Sequence, residues 1–310
     1  MNTNHTETLV INWHITEVCN YSCHYCYAAW KKPDEKRELF HDSNSTKKLL
    51  LELYNCIQFQ YNKLDTSNSP TYKKVRLNFA GGEPLLLSKK LLPIMLEAKK
   101  IGFDVSIITN GSLLTEELMA QMAPLLTWFG ISIDSTRLSS NHLIGRHTTH
   151  QQKLDVDRLL SIIDMGKQAN PHLKIKLNTV VNAINVLDDL SDIVERLAPQ
   201  KWKVLQMLPI ITTKNVIDEA RFEKFIARHH AFQNIICAEK NDDMRNSYLM
   251  IDPHGRFFQN SLAEAGSGYV YSSPILSVGA SLALQEIQFS TEKFNRRYAS
   301  NNAGGSCDVL

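Results

Sequence analysis

Short runs in which apolar and polar residues alternate recur along the chain, separated by longer stretches with helical spacing. The alternating runs predict strands near residues 9–16, 74–80, 104–110, 128–134, 173–181 and 202–208. The helical stretches predict helices near residues 45–63, 88–101, 115–123, 153–168, 187–197 and 218–232. Because strands that alternate with helices of this length form right-handed crossovers, we predict an α/β fold with a parallel sheet of about six βα units.

Several predicted strands have one apolar face and one polar face. The polar positions are Asn12, His14 and Thr16, then Arg76 and Asn78, then Lys174, Lys176 and Asn178, and finally Lys201 and Lys203. If helices cover the apolar faces, these polar side chains point inward. Burying an unpaired lysine costs several kcal/mol, so the pattern favours a site for an anion such as a polyphosphate. The alternative is that the lysines lie at strand ends and are solvated.

Composition limits the classes of protein to which the chain can belong. It has 310 residues with 43% apolar content and a formal net charge of +2, which fits one main domain and gives no indication of nucleic-acid or anionic-membrane binding. No apolar run is long enough to span a bilayer, and the polar first residues do not resemble a signal peptide. Six cysteines, three of them within residues 19–26, do not form a disulfide scaffold. We therefore expect a cytoplasmic protein, with an exposed loop at 61–73 and a flexible tail at 299–310.

The strongest motif is a run of three cysteines, Cys19, Cys23 and Cys26, directly after the first predicted strand. Thiolates are the usual ligands of iron–sulfur clusters, and this spacing places three of them around one cubane. The fourth iron then has no cysteine, so it is open to a substrate or cofactor. The alternatives are a zinc site completed by His24 or by a distant cysteine, or three unrelated buried thiols.

The cysteine spacing, with Tyr25 before the last cysteine, resembles the radical S-adenosylmethionine (SAM) superfamily. Further matches follow at the ends of later predicted strands: Gly81, Gly82 and Glu83 before Pro84, Asn110 within 109–113, Ser132 within 131–135, and Arg146 within 143–146. The resemblance implies a 4Fe–4S cluster on the three cysteines and contacts from these other residues to SAM. It also implies a partial (βα)6 barrel over residues 1–210, with a C-terminal extension over 211–310 that packs on and caps the substrate site.

Within the superfamily the chain resembles the viperins, over nearly all of residues 10–290. The matching segments are 12–14, 176–182, 201–206 and 244–252. No membrane-binding amphipathic helix precedes the core, so the resemblance is to a soluble prokaryotic relative. Arg76 and Lys201 stand where the animal pattern has Lys and Arg, and the acidic stretch of animal viperins is missing from 208–218. These differences leave the nucleobase open.

The resemblance implies dehydration of a nucleoside triphosphate to its 3′-deoxy-3′,4′-didehydro form, a chain-terminating antiviral nucleotide. CTP is the expected substrate, with UTP and GTP as alternatives. A radical formed from SAM would take hydrogen from C4′ of the ribose. Loss of the 3′-hydroxyl as water, with another electron and proton, would complete the alkene. The electron donor would be a flavodoxin or ferredoxin, and no nucleic acid or membrane is expected as a partner.

The same resemblance assigns roles to residues of the polar faces. The nucleotide would be bound by Asn12, His14, Arg76, Asn78, Lys176, Asn178, Lys201 and Lys203, with the basic side chains on the triphosphate. His14 is alternatively a core histidine. Tyr248 would donate a hydrogen atom or a proton in the last step, although interior tyrosines are usually packed and hydrogen-bonded.

Two other functional classes stay open on sequence grounds. One is a cluster-bearing sensor or antiviral scaffold that binds SAM or nucleotide without turnover, and the other is a radical SAM enzyme for a different small molecule. A binder would not need the cluster ligands, the SAM residues and Tyr248 together. Their joint presence favours the enzyme.

Overall fold

A computed structural model describes residues 8–26, 38–61, 72–148, 154–260 and 269–298 of the chain. The loop and tail predicted at 61–73 and 299–310 lie largely or wholly outside the described residues. The strands are β1 Thr8–His14, β2 Lys74–Ala80, β3 Asp104–Thr109, β4 Trp128–Ser132, β5 Lys174–Val181, β6 Lys201–Gln206, β7 Ile236–Glu239, β8 Leu249–Ile251, β9 Arg256–Asn260 and β10 Tyr269–Pro274.

Helices connect most of these strands. The α-helices are α1 Ser43–Asn55, α2 Ser88–Ile101, α3 Glu116–Met122, α4 Leu138–Ile144, α5 Val156–Ala169, α6 Ser191–Leu197, α7 Glu219–Arg228, α8 Asn241–Met244, α9 Ile275–Val278, α10 Ala280–Gln285 and α11 Thr291–Tyr298. A π-helical segment, Cys56–Tyr61, continues α1, and short 3-10 helices lie at Leu39–His41, Pro84–Leu87, Ala123–Leu125 and His230–Phe232.

The described strands form one sheet in the order β10-β9-β8-β1-β2-β3-β4-β5-β6-β7. Each strand from β1 to β7 is parallel to the next, and β8 is parallel to β1. Only the last two strands run antiparallel to their neighbours. The carboxyl ends of the parallel strands therefore meet at one edge of the sheet, which is where barrels of this kind place their active sites.

The helices cover the apolar side of this sheet. On that side the strands contribute fully buried residues such as Ile11 and Trp13 from β1, Phe79 from β2 and Leu177 from β5. They pack against helical residues that repeat at helical spacing, such as those of α5, where Leu159, Ile162, Ile163 and Gly166 are buried. This packing leaves the opposite face of each strand to turn inward, as its polar residues predicted.

The predicted α/β fold of six βα units is confirmed, and each of the six predicted strands overlaps an observed one. The first helix differs from its prediction, because the Asp42 side chain accepts hydrogen bonds from the amides of Asn44 and Ser45 and so begins α1 at Ser43. The sequence analysis did not predict β7 to β10. These strands have three to six residues, and β10 ends in a proline, so each carries little periodic signal.

Among the helices that the structure describes, none is both long enough and apolar enough to cross a membrane.

Candidate active site

A cavity of 260 Å³ lies against the parallel strands and extends from the loops at their carboxyl ends to Trp128 and Lys201, the first residues of β4 and β6. It brings together nearly all of the side chains that the sequence predicted for the site. Those that line it are Asn12, Cys19, Cys23, Cys26, Arg76, Asn78, Gly81, Gly82, Glu83, Asn110, Ser132, Arg146, Lys176, Asn178, Lys201, Lys203 and Tyr248. A volume of this size, with polar groups converging from many strands, is typical of a small-molecule site.

The three cysteines of the motif occupy the loop after β1 and all line the cavity. None of the three is joined in a disulfide, and burial raises the pKa of Cys19 to about 11 and that of Cys23 to about 12. A positively charged metal centre offsets this cost, because it binds the thiolate form. Three soft sulfur donors facing one chamber fit an iron–sulfur cluster with one iron open towards the rest of the cavity.

Two glycines hold the cysteine loop in place. The amide of Gly82 donates to the Thr16 carbonyl at 2.8 Å, and a Cβ atom at Gly82 would lie 1.9 Å from the carbonyl oxygen of Val18. On the other side of the loop, the amide of Ser22 donates to the Gly145 carbonyl at 3.1 Å, and a Cβ at Gly145 would lie 2.3 Å from the Ser22 oxygen. Only glycine allows these close backbone approaches.

We therefore expect Gly82→Ala to displace the cysteine loop. The clash is with backbone that has no free rotation, so the variant should lose on the order of 2 kcal/mol or more of stability and should bind iron poorly. Gly166→Ala is a matched control, since its Cβ would meet the flexible end of the Met119 side chain at 2.6 Å. Thermal unfolding and iron content measure both effects. Equal behaviour of the two variants would contradict this account.

Glu83 forms the floor of the site beside the glycine turn. Its buried carboxylate accepts hydrogen bonds from the Thr109 hydroxyl at 2.6 Å, from the Asn110 amide at 2.8 Å and from the Leu85 amide at 3.0 Å. Burial raises the pKa of Glu83, and these hydrogen bonds oppose the shift. The Asn110 side chain in turn donates to Asn20 of the cysteine loop at 2.9 Å. The predicted SAM residues of β2 and β3 are thus tied to the loop.

Arg146 anchors the opposite wall. Its guanidinium donates to the carbonyl of Ser132, contacts the Tyr25 hydroxyl at 3.3 Å and lies 3.4 Å from the Asp134 carboxylate. Tyr25 donates to the same carboxylate. Burial, and then the neighbouring Asp134, raises the pKa of Tyr25 well above its usual value, so the ring stays neutral. This network fixes the aromatic residue of the cysteine motif against the end of β4.

The far wall of the cavity is basic and rich in amides. Lys176 of β5 is the register partner of Lys201 in β6, and Lys201 is buried. The side-chain amide of Asn78 donates to the side-chain oxygen Oδ1 of Asn12 at 2.9 Å, which orients both side chains. Five basic and three acidic side chains line the cavity as a whole, so its formal protein charge is positive. The wall can bind a polyanion.

His14 is the predicted site residue that does not line the cavity. It is fully buried and packs edge-on against Phe258, with ring centroids 5.1 Å apart. Burial lowers its pKa to about 3, so the ring is neutral at physiological pH. A role in nucleotide binding stays a prediction.

The lowered pKa of His14 has a consequence for acid stability. Above the unfolded pKa of about 6.5 the ring is neutral in both the folded and the unfolded chain, so this group does not make the free energy of unfolding depend on pH. As the pH falls from there towards 3, the unfolded chain binds one more proton than the folded chain. Stability should thus fall by about 1.4 kcal/mol per pH unit from this group alone. In His14→Gln the slope of unfolding free energy against pH, from urea titrations between about pH 6 and pH 4.5, should be lower by about that amount. An unchanged slope would contradict the assignment.

The cavity lining also includes residues that the sequence did not predict as site residues, among them Tyr21, Asp134 and Glu239. Asp134 directly follows the predicted strand that contains Ser132, so its position was a usable signal. Glu239 ends β7, a strand of four residues whose sequence gave no clear alternation. Its carboxylate lies 2.7 Å from the Lys203 ammonium nitrogen.

Comparisons with known proteins agree with this geometry. The family model of the radical SAM superfamily matches residues 13–197. An S-adenosylmethionine-dependent nucleotide dehydratase from Pseudoalteromonas ulvae is 41% identical and covers 95% of this chain and 94% of its own length. A protein of the same name from Psychrobacter lutiphocae is 40% identical and covers 94% of each chain.

Among solved structures, native anSMEcpe with bound AdoMet and a peptide superimposes with a TM-score of 0.59. It is 14% identical and covers 93% of this chain and 81% of its own, so the likeness concerns the fold. Fold and cysteine loop together define a radical SAM enzyme, a class whose cofactors are a 4Fe–4S cluster and SAM. Within that class the chain belongs to the S-adenosylmethionine-dependent nucleotide dehydratases, which confirms the predicted resemblance to the viperins.

Proposed function

We propose that this protein dehydrates a nucleoside triphosphate to its 3′-deoxy-3′,4′-didehydro analogue, with CTP as the expected substrate. One observation carries the proposal: a single cavity of 260 Å³ joins the three-cysteine loop to a wall of basic and amide side chains. The four basic side chains of this wall, Arg76, Lys176, Lys201 and Lys203, favour an anionic substrate, because their charge-assisted hydrogen bonds to phosphate are stronger than hydrogen bonds to uncharged groups. The names of the relatives point to the same substrate class.

The loop end of the cavity would hold the cofactors. Cys19, Cys23 and Cys26 would bind a 4Fe–4S cluster, and SAM would lie against Gly81, Gly82, Glu83, Asn110, Ser132 and Arg146. When bound, these cofactors would supply the radical chemistry for abstraction of hydrogen from C4′ of the ribose. Arg146 is suited to the SAM carboxylate, because its guanidinium is held rigidly by Ser132, Asp134 and Tyr25.

The basic wall would hold the nucleotide. Arg76, Lys176, Lys201 and Lys203 would bind the triphosphate, and Asn12, Asn78 and Asn178 would hydrogen-bond the sugar or phosphates. Because the cofactor end and the basic wall belong to one chamber, a triphosphate on the lysines leaves the ribose pointing towards the cysteine loop. Such orientation is the main contribution that a protein makes to a radical reaction.

The rest of the reaction needs one electron and one proton. When the 3′-hydroxyl leaves as water it takes up a proton, and one-electron reduction of the nucleotide then completes the C3′–C4′ double bond. Tyr248 lines the cavity and is the side chain that we assign as the donor. The electron would come from a flavodoxin or ferredoxin. The product would terminate viral nucleic-acid chains, since it has no 3′-hydroxyl.

The C-terminal part of the chain would cap the nucleotide. Seven cavity residues come from beyond residue 210, between β7 and β10: Cys237, Glu239, Met244, Tyr248, Met250, Asn260 and Tyr269. This placement supports a division into a barrel core, 1–210, and an extension, 211–310, that encloses the substrate. The extension is where we expect the nucleobase to be selected.

An anaerobic assay tests the proposed function. The reconstituted protein is incubated with SAM, a reductant and each of the four NTPs, and products are identified by mass spectrometry. We expect 5′-deoxyadenosine and a nucleotide lighter than its parent by one water, in largest amount with CTP. If 5′-deoxyadenosine does not rise above the level without nucleotide although the cluster is intact, the protein acts on another substrate or binds nucleotide without turnover.

A further inference from the structure

Three side chains from different parts of the chain form a closed triad at the cavity wall. The Lys203 ammonium group donates to the Tyr248 hydroxyl, and the Tyr248 hydroxyl donates to the Glu239 carboxylate. The other Glu239 oxygen lies 2.7 Å from the Lys203 nitrogen, which also lies 4.5 Å from the centre of the Tyr248 ring. All three side chains line the cavity.

The triad lies where the two ends of the parallel region meet. Glu239 ends β7, at one edge of the sheet, whereas Tyr248 precedes β8, which pairs with β1 on the far side. Residues 240–248 connect the two strands directly. The hydrogen bond from Tyr248 to Glu239 therefore ties the start of β8 to the end of β7, the two outermost strands of the parallel region.

Burial of the Glu239 carboxylate in the cavity wall costs free energy. Its side chain is 2% exposed, and a buried carboxylate is tolerated only with compensating partners. Lys203 and Tyr248 provide that compensation. The backbone of Tyr248 is held independently, because its carbonyl accepts a hydrogen bond from the side-chain amide of Gln259. With the main chain fixed at one end and the hydroxyl at the other, the ring has one orientation in the cavity.

We propose that Glu239 is a positioning residue for the dehydration step, acting through Tyr248. This inference rests on the proposed function. Glu239 holds the Tyr248 hydroxyl beside the Lys203 ammonium group and facing the chamber. In this step the Tyr248 hydroxyl turns its proton from Glu239 to the departing 3′-hydroxyl, which leaves as water. The tyrosinate oxygen keeps the hydrogen bond from Lys203, which balances its charge. The electron that completes the double bond comes from the one-electron donor named above.

The test separates hydrogen abstraction from dehydration. Glu239→Gln keeps the size of the side chain but removes its charge, and Tyr248→Phe removes the donor. In both variants we expect nucleotide-dependent 5′-deoxyadenosine to persist, whereas the ratio of dehydrated nucleotide to 5′-deoxyadenosine falls by a factor on the order of 10². Glu239→Asp, which restores the carboxylate, should recover part of the ratio. The double variant should be no worse than Tyr248→Phe alone, because both changes act on one group.

Two results would overturn the positioning role. One is a Glu239→Gln variant that keeps the wild-type product ratio, and the other is a double variant whose losses multiply. If wild-type protein makes no dehydrated nucleotide, the proposed function fails, and the triad is judged by thermal unfolding of the same variants. If the double variant loses less Tm than the two single variants lose together, Glu239 is coupled to Tyr248. If the losses are additive, the coupling is refuted.

Discussion

Cys23→Ala should leave the protein folded but without its cluster. The three cysteines form one ligand set, and burial holds the pKa of the Cys23 thiol at about 12 without metal, so the loop depends on a cation to stabilise its thiolates. We expect iron content and visible absorbance of the reconstituted variant to fall by at least about tenfold. No 5′-deoxyadenosine should form, since the other predicted steps follow from cluster binding.

Cys56→Ala is the matched control for this prediction. Cys56 is a free, buried cysteine at the carboxyl end of α1 and does not line the cavity. The same substitution there should cost some stability through lost packing but should leave iron content unchanged. If Cys23→Ala retained a full cluster, or if both variants lost iron equally, the three-cysteine site would be wrong.

Lys176→Met should weaken nucleotide binding strongly. Lys176 lines the cavity next to its register partner Lys201, so its charge lies where we place the triphosphate. Loss of one charge-assisted contact of this kind costs about 1.5 to 3 kcal/mol, which corresponds to a rise in KM for the NTP of about 10-fold to 160-fold. The SAM-binding residues are untouched, so the KM for SAM should stay near its wild-type value.

Lys174 offers a control on the same strand. It lies two residues before Lys176, carries the same charge and is not part of the cavity lining; its ammonium group lies 5.6 Å from the centre of the Trp128 ring. Lys174→Met should therefore leave the KM for NTP within about twofold of the wild type. Equal KM values for the two variants would show that the effect comes from net charge, and the assignment of Lys176 to the triphosphate would fail.

The barrel core was predictable because its strands carry strong periodic signals. In β2, for example, Val75, Leu77 and Phe79 alternate with Arg76 and Asn78, and the predicted and observed bounds of the strand agree. The later strands were not predictable. The three residues of β8 are apolar without alternation, and their place beside β1 depends on the closure of the sheet, a long-range event that a local pattern cannot report.

The residues of the candidate site also differ in how far the sequence predicts them. The cysteine loop and the glycine turn were predictable, since their chemistry is written in short contiguous motifs at strand ends. Glu239 was not, because its significance arises from contact with Lys203 and Tyr248, which lie 36 and 9 residues away from it in the chain. His14 shows the opposite case. The alternation of β1 placed it with Asn12, yet β9 covers it through Phe258 and it does not line the cavity.

The first step of the proposed dehydration is removal of hydrogen from C4′ of a nucleoside triphosphate. The most direct measurement uses CTP deuterated at C4′, incubated with the reconstituted enzyme, SAM and reductant, with mass spectrometry of both products. This account predicts 5′-deoxyadenosine that carries one deuterium, together with a dehydrated nucleotide that has lost it. Unlabelled 5′-deoxyadenosine alongside a nucleotide that retains its deuterium would contradict it.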